Sequence, residues 1–123
     1  MSQFTLENMT VEQLIERFVA TALEQDRAIR ADKNALFNRL YSQLDAIEVE
    51  LKRRSGDQRR ALVALLKHPN VEVRLRAAFA TLALVPELAR KTLQNISDWD
   101  EYPQAPDARL MLRGLDDGSY TPN

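Results

Sequence analysis

At 123 residues, with 45% hydrophobic and 28% charged side chains, the chain has the make-up of one globular domain, residues 1–123, and is too apolar for disorder. It contains no cysteine, which removes disulfides, thiolate metal sites and cysteine nucleophiles together and suits a reducing cytoplasm. The net charge of −1 conceals segregation: residues 1–51 balance at −4, residues 52–76 at +6, and residues 95–123 at −4.

The opening residues lack the basic-then-apolar order of a secretory signal. Thr10 and Gln13 have the spacing of a capping box. Val11, Leu14, Ile15, Phe18, Val19, Ala22 and Leu23 then recur at helical steps, predicting a helix over about residues 11–30. Asp32 is expected to cap a second helix carrying Leu36, Phe37, Leu40, Tyr41, Leu44, Ile47 and Leu51. So short a connection predicts an antiparallel hairpin over residues 1–54.

Gly56 is expected to close that helix in the left-handed conformation, and Asp57 to cap a third carrying Ala61, Leu62, Leu65 and Leu66. His68-Pro69 ends it, and Asn70 caps a fourth. From Ala77 to Val85 only Thr81 interrupts the apolar run, so this helix should be covered on several sides. The run is far short of the ~20 residues that cross a bilayer, and no membrane association is expected. Pro86 opens a fifth helix with Leu88, Ala89, Leu93 and Ile96 on its buried face. A loop over residues 97–106 holds Trp99 and Tyr102 among acids. Asp107 is expected to cap a last helix, closed by Gly118 before a tail over residues 119–123. No segment alternates as a half-buried strand does, so the expected class is all-α with about six helices.

No catalytic constellation is legible. There is one histidine, no nucleophile elbow, no glycine-rich phosphate loop and no metal-binding helix motif. His68 reads as a turn residue at a helix end, and Asp98, Asp100 and Glu101 as solvated loop charges. The expectation is therefore no enzyme, no cofactor and no metal.

Two groups remain as binding candidates. Arg53, Arg54, Arg59 and Arg60 flank one helix corner, with Lys52, Arg74 and Arg76 nearby, and a converging patch would suit phosphate or an acidic partner. Trp99 and Tyr102 suit either an interface anchor or, as favoured on loop length, a lid folded over the core.

The stretch from Leu65 to Ala78 (Leu-Leu-Lys-His-Pro-Asn-Val-Glu-Val-Arg-Leu-Arg-Ala-Ala) resembles the corner and second helix of a HEAT repeat, with His68 and Asn70 where such repeats carry aspartates. A corner of proline and a capping residue, close-packing alanines and an arginine one turn in, able to bond back to the corner, all have physical reasons. The whole chain resembles an uncharacterised bacterial domain family with a HEAT-like fold. The segments that carry this are Gly56-Asp57-Gln58-Arg59-Arg60-Ala61-Leu62, Tyr102-Pro103-Gln104-Ala105 and Leu115-Asp116-Asp117-Gly118. The resemblance implies a helix hairpin packed on a short right-handed helical stack over residues 55–118. With no chemistry in view, the expected role is a scaffold binding another protein, a second copy of itself included. Nucleic-acid binding through residues 52–76 is the alternative.

Overall fold

The computed structural model describes residues 5–123, and the first four residues, part of the stretch read for a signal, lie outside them. Among the described residues all regular structure is helical, with no strand. A 3-10 turn at Leu6–Asn8 is followed by α1 (Val11–Arg30) and α2 (Asn34–Arg53), then by a 3-10 helix at Gln58–Lys67. Three α-helices complete the chain: α3 (Val71–Thr81), α4 (Pro86–Asp98) and α5 (Ala105–Asp117). The all-α class and six main helices agree with the sequence. The chain divides into two compact units, Met1–Ala61 and Leu62–Asn123.

In the first unit the capping box forms as expected. The Gln13 N–H donates to Thr10 Oγ1 at 3.1 Å, and the Thr10 N–H to Gln13 Oε1 at 2.9 Å. Leu14, Phe18, Ala22 and Ala28 are buried along α1, as are Leu40, Leu44, Ile47 and Leu51 along α2. The two helices pack together across Ala31–Lys33, a link too short for anything but an antiparallel return. Tyr41, expected on the buried face, is exposed.

Asp32 is not the cap of α2. The Lys33 N–H donates to the Ala28 carbonyl at 2.9 Å and the Asp32 N–H to that of Ile29 at 3.3 Å. These bonds make a Schellman motif, with Asp32 at φ 58° in the left-handed slot that glycine usually fills. The residue expected to start the second helix ends the first. Gly56 is left-handed as expected (φ 80°), and Asp57 follows at φ 51° with its Oδ1 accepting the Arg59 N–H at 3.3 Å.

The helix at Gln58–Lys67 is wound as 3-10 over ten residues, longer than that form usually runs, and its part in the second unit carries the buried Leu62 and Leu66. Asn70 caps α3 as expected, its Oδ1 accepting the N–H groups of Glu72 at 2.8 Å and Val73 at 3.2 Å. Nine of the eleven α3 residues are buried, and only Arg74 and Phe79 are not. This helix packs on α4, which packs on α5. Pro86 opens α4 as expected, and Ala89, Leu93 and Ile96 are buried, but Leu88, expected with them, is exposed. The final helix starts at Ala105, earlier than expected, so Asp107 sits in its first turn and does not cap it. Gly118 closes it at φ 79°.

Candidate interaction surface

The basic segment does not present a field of unpaired charge. Glu50, buried on α2, accepts two hydrogen bonds from Arg53 (2.8 and 3.0 Å) and one from Arg54 Nε at 2.7 Å. Burial pushes the Glu50 carboxyl up, but the hydrogen bonds from Arg54 and Arg53 outweigh it and hold it below the usual glutamate range. Arg54 also donates to the Leu6 carbonyl at 3.0 Å, fastening the N-terminal turn. Arg59 is buried and grips Asp57 through Nε and Nη2, at 2.9 and 2.7 Å, which lowers the Asp57 carboxyl. Arg76, also counted among the basic residues, is buried with its Nε on Glu72 Oε2 at 2.8 Å. Arg60 stays exposed, its Nε on the Gly56 carbonyl at 3.2 Å.

The α4–α5 connection departs further from expectation. Trp99 is 79% exposed and Tyr102 76%, so neither is a lid over the core. Local backbone chemistry turns them outward. The Asp100 N–H donates to the Ser97 carbonyl and the Glu101 N–H to that of Ile96, both at 3.1 Å. With Asp100 at φ 50°, this is a second Schellman motif, and Trp99 is its capping residue.

Three side-chain clamps hold the loop, each from a helix of the same unit. Arg74 of α3 donates to both Glu101 carboxylate oxygens at 2.9 Å, and its Nε reaches the His68 carbonyl at 2.8 Å. The Arg74 hydrogen bonds hold the Glu101 carboxyl below its ordinary range against partial burial. Arg109 of α5 donates to the Ser97 carbonyl at 2.7 Å, to Ser97 Oγ at 3.1 Å and to Asp100 Oδ1 at 2.8 Å. At the far end Gln104, buried, donates from Nε2 to Glu72 Oε1 at 3.0 Å. Glu72, itself 1% exposed, thus serves both Arg76 and Gln104. His68 stands at the corner before α3, its Nδ1 accepting the Asn70 N–H at 3.0 Å.

Of the residues singled out in the sequence, Arg74 alone is drawn to the Trp99–Tyr102 loop, through Glu101. The bond from Arg74 back to its corner follows the sequence pattern. Nothing in the sequence marked Arg109, Glu72 and Gln104 as the clamps of this loop, since an arginine on a helix, an i,i+4 Glu–Arg pair and a glutamine after proline have the same spacing on a wet face as on a dry one. Among the described residues, no group of three or more His, Asp or Glu side chains is placed to hold a metal ion, and no helix is long and apolar enough to cross a membrane.

A family model described as a domain of unknown function (DUF2019) matches residues 12–116. The crystal structure of the protein RPA1889 from Rhodopseudomonas palustris is similar at a TM-score of 0.94 and 42% identity, covering 98% of this chain and 100% of that one. No curated protein matches.

Proposed function

This chain belongs to the DUF2019 family of domains of unknown function, and from that premise we propose that it is a non-enzymatic helical scaffold that binds another protein through the Trp99–Tyr102 loop. One observation carries the proposal: two large aromatic side chains stand mostly in solvent on a loop that Arg74, Arg109 and Glu72 hold in place. Leaving apolar ring surface in water is unfavourable, and fixing the loop in advance lowers the entropic cost of docking. Tryptophan and tyrosine are also the residues most often found to anchor interfaces.

The scaffold is of HEAT type in this proposal. Arg74 bonds back to the His68 carbonyl, and Arg109 does the same to the Ser97 carbonyl one helix pair later. Glu101 supplies the carboxylate that the missing corner aspartates would have given Arg74. The working compartment is the cytoplasm, in keeping with a chain free of cysteine. Phosphate binding by residues 52–76 is disfavoured, because Arg53, Arg54, Arg59, Arg74 and Arg76 all sit in ion pairs.

An affinity pull-down with the full chain tests the proposal against two variants. A specific protein should be retained by the natural sequence and by Arg53→Ala/Arg60→Ala, and lost by Trp99→Ala/Tyr102→Ala. Retention that depends on the arginines and ignores the aromatics would reject it.

A further inference from the structure

We infer that the occupant of the Trp99–Tyr102 surface is a positively charged protein segment, one that lays arginine or lysine side chains over the two rings. The inference rests on the loop being an interface and adds the chemistry of its partner. Residues 98–107 contain Asp98, Asp100, Glu101 and Asp107 and no lysine or arginine. Two of these acids are already engaged, Glu101 by Arg74 and Asp100 by Arg109. The other two keep their charge for an outside partner. Asp98 accepts only from the neutral amide of Gln94, at 2.8 Å, and neither Asp98 nor Asp107 is in an ion pair with a described residue.

Along the chain the two aromatic residues lie between Asp98, which ends α4, and Asp107 in the first turn of α5, and both acids are exposed. A cation is attracted to the electron-rich face of an aromatic ring, and a neighbouring carboxylate adds to that attraction. An anionic strand would meet the same carboxylates as repulsion, so stacking of nucleic-acid bases on the rings is disfavoured. A purely apolar partner would have to desolvate both acids without pairing them.

The lone tryptophan makes the surface its own reporter. Trp99 fluorescence of the full chain is titrated with a short peptide alternating arginine and glycine, with its glutamine and glutamate counterparts, and with oligothymidylate. The arginine peptide should shift the emission and saturate, and the glutamine peptide should bind at least roughly fivefold more weakly. Binding should weaken as salt is raised. Asp98→Asn/Asp107→Asn should lower affinity for the arginine peptide by roughly threefold to tenfold, with the thermal melt unchanged.

Equal binding of the glutamine peptide would overturn the charge assignment and leave the interface itself standing. Saturation by the glutamate peptide or oligothymidylate would overturn it in favour of another class of partner. A shift driven by protein concentration alone would point to a second copy of the chain, and no response to any probe would also reject the inference. Loss of pull-down partners in Trp99→Ala/Tyr102→Ala is read independently, so the two failures remain distinguishable.

Discussion

Aspartates 32, 57 and 100 take left-handed backbone angles (φ 58°, 51° and 50°) where the chain reverses. Asp tolerates this region better than most residues, but glycine occupies it at lower cost. Asp32 and Asp100 fill the same slot in their Schellman motifs; Asp32 reads in the sequence as a helix start, and the helix end expected before residue 97 falls at Asp98. A glycine after an apolar period announces a stop, whereas an aspartate there is equally the mark of a helix start. Asp32 has no side-chain capping role in α2, so Asp32→Gly should raise stability by roughly 0.5–1 kcal/mol, read from the urea midpoint at constant slope. A fall in stability would show that its side chain contributes something beyond its backbone angle. Asp100 is a different case, because its carboxylate also receives Arg109.

Among the elements, α3 shows how far a local pattern reaches. The apolar run from Ala77 marked a covered helix as far as Thr81, but α3 ends there. Residues 82–85, expected to continue it, form a turn in which Ala83 is exposed and Leu84 and Val85 are half-buried. The Asn70 cap was legible because capping acts within one turn. The burial of the Glu72–Arg76 pair has no mark in the sequence, since an i,i+4 pair has the same spacing on a wet face and a dry one. Arg76 also lies 5.6 Å from the ring centroid of Phe79, which is only half-buried. Removing one partner of a buried pair strands the other charge. Glu72→Leu should therefore cost about 3–5 kcal/mol, and adding Arg76→Met should recover a large part of it, both measured by urea unfolding. Comparable loss in the single and the double variant would mean that Glu72 acts mainly by fixing Gln104.

At the scale of the whole molecule, the charge segregation of the sequence is largely spent inside the fold. Glu50, Asp57 and Glu101 all have carboxyls held below their ordinary values by arginine hydrogen bonds. Their stabilisation is complete above the unfolded carboxylate range and is lost as pH falls through the lowered folded values. Glu48 acts in the opposite sense, because burial and then Asp45 push its carboxyl up, so acid relieves it. Four lowered carboxyls, Asp117 held down by its hydrogen bonds from Ser119 included, against one raised predict a net loss of stability toward acid. The acid limb should be shallower in Glu101→Gln, which has no charge there to lose, as followed by urea unfolding across pH. An unchanged acid limb would remove Glu101 from that account.

The sequence by itself determined the helical class, most helix starts and the corner arginine Arg74, because periodicity, caps and prolines act over a few residues. Tertiary structure alone decided which cations are consumed and which aromatics face water. Those outcomes rest on bonds between residues far apart in the chain: Arg109 to Ser97 over 12 positions, Arg74 to Glu101 over 27 and Gln104 to Glu72 over 32. No local pattern encodes such a meeting. It exists only once the helices have packed and burial has fixed which polar groups must find one another.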